Sequence, residues 1–336
     1  MLFGGRHGTK CPSSPAWKWS VRWIMRKYQA IPVYIAQDGT WYAGPALADK
    51  AFYSRLPGSL LEGTRVTLLP NGQNQGLTIL ENALTLSERV RGKKQAHTIP
   101  IDIFFPAFHG SYGEDGCIQG LFEMANVAYV GSRVLASALS MNKAQCKHLL
   151  QAGGVPVLPW ATVNREDWRR DPVAAREAVL ANTGTEQFPL FVKPCNLGSS
   201  IGIAAATDAA ALDAALEQVF RFDEVALIEP QVVAITEINV SVMRGAEIRP
   251  SVVERPLSKS GVLTYQDKYG SSGKAKKGQQ RTGSIADAER RIDPKDVSDE
   301  IKMLGSVHGG ASVSIDRLRG GRALISSSIR PKTPCF

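Results

Sequence analysis

The apolar positions fall into short runs separated by polar and small residues, and their spacing alternates between the two regular periods. Met1-Leu2-Phe3 is a short apolar strand that meets a Gly4-Gly5 turn. Ile31 to Ala36 is strand-like and closes at Asp38-Gly39, and Val66 to Pro70 repeats the pattern. Ile99 to Phe105 is almost continuously apolar, which predicts a strand buried on both faces of a parallel sheet. Helical spacing covers Ile118 to Ala125, Tyr129-Val130 is a further short strand, and Ser137 to Gly153 is helical with Asn142, Lys143 and Lys147 at polar positions. In a second block, Phe188 to Pro194 is a strand leading into the small-residue loop Asn196 to Gly202, which returns as another strand. Thr207 to Phe220 is an Ala/Leu-rich helix, Ala226 to Glu229 a strand, and Glu237 to Val242 an alternating strand. Ser258 to Gly283, rich in Gly, Ser, Lys and Gln, reads as a long mobile loop, and such loops serve as lids. Residues 7–26 stand apart, because Trp17, Trp19 and Trp23 follow neither period.

Composition narrows the class. With 336 residues, 43% hydrophobic and 21% charged, the chain has material for two or three domains with ordinary cores. Five cysteines without a CxxC pair, and no secretory leader pattern, predict a reducing, cytoplasmic setting. No apolar run reaches the roughly 18 residues that span a bilayer. The net charge of +9 suggests nucleic acid until it is located. Lys10, Lys18, Arg22 and Arg26 carry part of it, and Arg317, Arg319, Arg322, Arg330 and Lys332 the rest, in two end segments without Asp or Glu. A nucleic-acid face belongs on the folded body, so neither nucleic acid nor membrane is the expected partner.

Chemistry enters through several loops. Neither the P-loop nor the dinucleotide fingerprint occurs. Lys193, at the end of a strand just before Gly198-Ser199-Ser200, places an ammonium and backbone N–H groups around one concavity that suits polyphosphate; a hairpin with a snorkelling lysine fits the same residues. Lys143, on a separate helix, has the same two readings. Glu229 and Glu237 are either acceptors for a ribose or an adenine amine, or solvated strand-end carboxylates. The segment His109 to Gly116 follows a predicted strand, where ligands of α/β sheets bind; it also fits a tight turn with a helix cap at Asp115.

Taken in series, the order H-G-x-x-G-E-D-G, Gln119-Gly120, Tyr129-Val130-Gly131-Ser132, Ser137-Ala138-x-x-Met141-x-Lys143 and Phe191-Val192-Lys193-Pro194-x-x-x-Gly198-Ser199-Ser200-x-Gly202 resembles the D-alanine–D-alanine ligases of the ATP-grasp superfamily, from about Ile31 to Asp293. The resemblance implies an α/β ATP-grasp chain. Its parts would be an N-terminal parallel-sheet substrate domain (1–136), a central ATP-binding domain (137–230) and a C-terminal ATP-grasp domain (231–336) that carries loop 258–283 and is incomplete. It implies ATP-dependent joining of two D-alanines through an acyl phosphate, for peptidoglycan precursors. Lys143 and Lys193 would hold the ATP phosphates, and Glu229 and Glu237 the adenine and ribose. Ser199 and Ser200 would form the Gly-rich loop beside substrate and His109 would lie near the first D-alanine. Lys268 would reach the γ-phosphate and Tyr269 would sit near the second D-alanine, a residue choice that matches dipeptide-forming members. Asp316 would be a Mg²⁺ ligand, and a homodimer accords with the family.

Two stretches depart from that pattern. Where the family has E-x-E-V-S after the Gly-Gly turn, this chain reads His7-Gly8-Thr9-Lys10-Cys11-Pro12-Ser13-Ser14, with no acid. Read from the third base of their permitted codons, these residues and their successors spell N-E-V-S-V-I-S-G-M-E-V-V-S-A-V-D, so residues 7 to about 26 are expected to be out of frame. Near the C-terminus, Asp316 remains in Val313-Ser314-Ile315-Asp316, but Ser326 and Ser328 stand where the family's metal-binding Glu and Asn belong. The expectation is a chain of ligase descent with impaired or absent ligation; the alternative is a nucleotide-binding pseudoenzyme of the same fold.

Overall fold

The computed structural model describes residues 2–4, 28–71, 76–80, 98–107, 110–184, 188–198, 201–232, 237–244, 248–256, 290–300 and 302. Residues 7–26, His109, Ser199, Ser200, the 258–283 loop with Lys268 and Tyr269, and Asp316, Ser326 and Ser328 lie outside them. The chain divides into two compact units, Met1–Val134 and Leu135–Phe336.

In the first unit, β1 (Leu2–Gly4), β2 (Val33–Ile35), β3 (Trp41–Ala43), β4 (Thr64–Thr67), β5 (Gly76–Ile79) and β6 (Thr98–Pro100) form one sheet in chain order. Only β1 and β2 run parallel; every later pair is antiparallel. The expected parallel sheet is therefore corrected to a largely antiparallel one, and for the β2–β3 and β4–β5 pairs the reason is chain length. Parallel neighbours need a crossover of about a dozen residues or more, whereas Ile35 and Trp41 are joined by a tight turn. That turn is the Asp38-Gly39 signal: Thr40 N–H donates to Asp38 Oδ1 (2.9 Å), Gly39 N–H to Ala36 O (2.9 Å), and Gly39 takes φ 86°, which favours glycine.

The Ile99 to Phe105 run is likewise not a doubly buried strand. It splits into the end strand β6, whose ladder stops at Pro100, and a segment in which Phe104 is buried between exposed Ile103 and Phe105. That is burial of one face, at period two. Phe104 makes an isolated parallel bridge to Tyr129 and stacks on Phe122, ring centroids 5.0 Å apart. Phe122 belongs to α2 (Cys117–Met124), and with Val33, Val66, Leu77 and Ile118 it forms the main core of this unit. A smaller core of Leu47, Phe52 and Tyr53 surrounds α1 (Lys50–Ser54).

The second unit opens with a break. The predicted helix Ser137 to Gly153 is two helices, α3 (Val134–Met141) and α4 (Lys143–Ala152), interrupted at Asn142. Asn142 is extended and its side chain accepts from Gln145 N–H at 2.9 Å, a cap that restarts the helix one residue before Lys143. Next come β7 (Ala161–Asn164), α5 (Arg165–Arg170), α6 (Pro172–Asn182), β8 (Leu190–Pro194), β9 (Ala204–Ala206), α7 (Ala209–Val219) and β10 (Val225–Pro230). The strands form an antiparallel sheet in the order β7-β10-β8-β9. Leu190, Val192, Ala226 and Ile228 point to one face, where Leu212, Leu216 and Val219 of α7 and Val179 of α6 close a core. Asp171 and Asp208 cap α6 and α7, Asp171 accepting from Val173 and Ala174 N–H and Asp208 from Ala211 N–H.

Beyond this sheet the expected strand Glu237 to Val242 is shifted. Ile238 and Val240 keep its alternation and are buried with Val253 and Val297, and Asn239 bridges Glu254. The regular strand is β11 (Val242–Arg244), paired with β12 (Ile248–Pro250); β13 (Glu254–Pro256) pairs with β14 (Arg290–Ile292).

Candidate functional site

The other face of the β7-β10-β8-β9 sheet carries charge. In the β8/β10 register Lys193 lies opposite Leu227 and Phe191 opposite Glu229, so these four residues share the face turned away from the α7 core. Helix α4 covers it: Ala144 packs with Cys195 and Leu227, with Trp160 beside them. Glu229 is buried at 8% side-chain exposure and accepts from two ammoniums. Lys193 Nζ donates to Oε2, and Lys147 Nζ, from α4, lies 2.5 Å from Oε1. Burial would raise the Glu229 carboxyl, but the Lys193 and Lys147 charges outweigh it and hold the group below the ordinary glutamate range.

Lys143 completes the cluster from the first turn of α4. Its backbone N–H donates to Cys195 O (2.9 Å) and its Nζ to Leu197 O, which ties the helix start to the loop leaving β8. Burial, with the nearby Lys193 charge, pushes its ammonium down to about 8. The loop itself is fixed by a chain of polar groups. Asn142 Nδ2 donates to Asn196 Oδ1 (2.8 Å), and Asn196 N–H and Nδ2 donate to the buried Asp223 carboxylate at 2.6 and 3.0 Å. The Cys195 thiol donates to Asn142 Oδ1 at 3.3 Å, and burial raises its pKa.

Three of the sequence candidates thus come together: Lys143, Lys193 and Glu229. Glu237 is described but no hydrogen bond or ion pair links it to them among the described residues. His109, Ser199, Ser200, Lys268, Tyr269 and Asp316 lie outside the described residues. After His109, the loop shows its turn chemistry: Glu114 accepts from Gly110 N–H (2.6 Å), and Asp115 from Tyr112 and Cys117 N–H (2.7 and 3.0 Å). Both carboxylates are spent on the loop's own backbone. Sequence reasoning did not find the Lys147 contact with Glu229, nor Asn196 and Asp223 as supports; the four-residue spacing of Lys143 and Lys147 on one helix was the available signal.

Two ammoniums around one buried carboxylate, beside a third at a helix start, form a concentrated cationic site able to neutralise phosphate oxygens. Among the described residues no three His, Cys, Asp or Glu side chains gather as a metal ion requires.

Comparison with known proteins gives a consistent result. Residues 2–132 match the family described as D-ala D-ala ligase N-terminus, and residues 149–294 that described as D-ala D-ala ligase C-terminus. The chain is 36% identical over 271 residues to a D-alanine--D-alanine ligase of Heliobacterium modesticaldum, covering 80% of this chain and 69% of that protein. It is 34% identical to one from Bacillus velezensis, covering 72% and 64%. The chain therefore spans about two thirds of the length of these relatives. Among solved structures, the VanG D-Ala:D-Ser ligase of Enterococcus faecalis superposes with a TM-score of 0.70 at 24% identity, covering 96% of this chain and 82% of that one. A D-alanine-D-alanine ligase from Coxiella burnetii gives 0.70 at 21% identity, with 98% and 81% covered; both are likenesses of fold.

Proposed function

Because the chain belongs to the D-alanine–D-alanine ligase family, we propose that its Lys143, Lys193 and Glu229 cluster is the nucleotide site of an ATP-dependent ligation that joins two D-alanines for peptidoglycan precursors. The observation that carries this is the convergence of three residues, far apart in sequence, on one half-buried cationic face. In the reaction the γ-phosphoryl of ATP passes to the carboxylate of one D-alanine and ADP departs. The amine of a second D-alanine then attacks the acyl carbon, orthophosphate leaves, and the new amide nitrogen gives up a proton. Charge spreads over the transferring phosphoryl oxygens, so positioned ammoniums supply much of the stabilisation. Lys143 and Lys193 would meet the phosphates and Glu229 the adenine amine. Ser200 would join the phosphate loop, Ser199 and His109 would line the D-alanine side, and Glu237 would take the ribose. Lys268 and Tyr269 would arrive on a lid that excludes water from the acyl phosphate.

The family uses Mg²⁺ with ATP, and Asp316 is this chain's candidate ligand; the described residues supply only the cationic half of the phosphate site. The same reading places the protein in the cytoplasm as a homodimer. Among the described residues no helix is long and apolar enough to cross a membrane.

The reading extends to this chain's own departures. Residues 7–14 offer no acid where the family orients its first substrate, and Ser326 and Ser328 replace charged or amide ligands, so ligation is impaired while nucleotide binding persists. The test is to measure ADP binding and D-alanine-dependent phosphate release on the same purified chain. Binding with little or no release supports the impaired reading. Release at rates typical of an intact ligase refutes the impairment, and absence of ADP binding refutes the site assignment.

A further inference from the structure

Lys147 has no assigned role in the nucleotide reading, yet it is more enclosed than Lys193, the other ammonium on Glu229. Its side chain is 14% exposed, its Nζ lies 2.5 Å from Glu229 Oε1, and it sits 5.1 Å above the centre of the Trp160 ring. Trp160 is itself held edge-on by His148, ring centroids 5.0 Å apart. The Glu229 carboxylate is thus divided, with Oε1 on Lys147 and Oε2 on Lys193. These two partners are not equivalent. Both ammoniums lie over a ring, Lys193 5.4 Å from the Phe191 centre and Lys147 over Trp160, but Lys193 is the more exposed (22%) and stands on β8 at the mouth of the 196–198 loop, where it can turn to a phosphate.

A nucleotide whose phosphates recruit Lys193 would leave Oε2 free while Glu229 stays buried. With no second cation, a buried carboxylate takes up a proton and becomes partly a donor. An ionised carboxylate only accepts, and that difference separates two purines. The 6-amino group of adenine donates, whereas the 6-oxo group of guanine accepts.

We propose that Lys147 is a positioning residue that fixes Glu229 as a pure acceptor once Lys193 has moved to the phosphates, and that it thereby sets the preference for adenine over guanine. This rests on the nucleotide reading of the Lys143–Lys193–Glu229 cluster.

The experiment is calorimetric titration of the full chain with ADP and with GDP, for wild type, Lys147→Met and Lys147→Arg, with thermal unfolding of each sample recorded alongside. Wild type is expected to prefer ADP. Lys147→Met should weaken ADP by about tenfold or more, the usual worth of a hydrogen bond to a charged group, and leave GDP nearly unchanged, so that the preference collapses. Lys147→Arg should restore it. An unchanged ADP/GDP ratio in Lys147→Met, or an equal loss of both nucleotides, overturns the proposal. Should Lys147→Met not fold, Lys147→Gln keeps a neutral donor beside Oε1 and removes only the charge, and a retained ADP preference in that variant overturns the proposal as well. If wild type binds neither nucleotide, the nucleotide reading itself fails, and that result is distinct from a selectivity that survives the loss of Lys147.

Discussion

The two faces of the β7-β10-β8-β9 sheet are made by the same strands and do opposite work. Along β8, Leu190, Val192 and Pro194 are buried, while Phe191 and Lys193 are partly accessible; along β10, Ile228 enters the α7 core and Glu229 turns to the α4 side. The first face is held by apolar area removed from water, which is non-directional and tolerates substitution by shape. The second is held by two ammoniums on one carboxylate and a ladder of amide contacts, each of which fails if one member is removed. A period of two therefore lets one strand carry stability and chemistry on adjacent residues without mixing them.

The sharpest way to break the charged face is Glu229→Ala. It strands Lys147 and Lys193 in a half-buried site, and removing one partner of a buried ion pair costs about 3–5 kcal/mol. Chemical denaturation should show a loss of that order, and ADP binding should disappear with it. On the opposite face, Ile228→Ala should cost about 3 kcal/mol, the middle of the range for buried large-to-small changes. Its ADP affinity, measured where the protein is still folded, should stay within about twofold of wild type, about 0.4 kcal/mol. A large loss of affinity there would show that the two faces are not separable.

Asn142→Ala sits between these cases, because Asn142 belongs to a helix cap and to the loop network at once. Loss of the cap should cost about 1 kcal/mol. The same change unpairs Asn196 Oδ1 from Asn142 Nδ2, so the loop after β8 loses one tie to the Lys143 turn. Weaker ADP binding accompanied by only this modest destabilisation is the expected pattern; stability lost with ADP affinity intact would make Asn142 a helix cap and nothing more.

These residues also show what a linear reading reaches. Lys193 and Glu229 were legible because both end short apolar strands, and strand ends are where sheets present chemistry. The buried alternation of Ile238 and Val240 was legible for the same reason of period. The first sheet's direction was not, since a near-continuous apolar run does not say how many faces it buries; the short β2–β3 and β4–β5 connections force those two pairs antiparallel. The break at Asn142 was hidden inside an unbroken helical period, and its signal was a capping residue in mid-run. Lys147 meets Glu229 only through packing of α4 on β10, a tertiary contact between residues 82 positions apart in the sequence.

The mildest test of the charged face is pH. The Lys143 ammonium, pushed down to about 8 by burial and by Lys193, is half neutral at that pH, whereas in the unfolded chain it stays charged to about 10.5. Between those values the unfolded state binds more protons, so this group makes stability rise with pH from about 8 to 10.5; below 8 its charge opposes folding in full. Nucleotide binding runs the other way. Phosphate oxygens require the charged form, so the ADP dissociation constant should rise about twofold between pH 7 and 8, the share of Lys143 that has lost its proton, and more steeply above. Lys143→Arg keeps its charge throughout this range and should flatten the profile. A wild-type profile as flat as that of the arginine variant would mean that Lys143 does not meet the phosphates, and the phosphate role would then fall to Lys193.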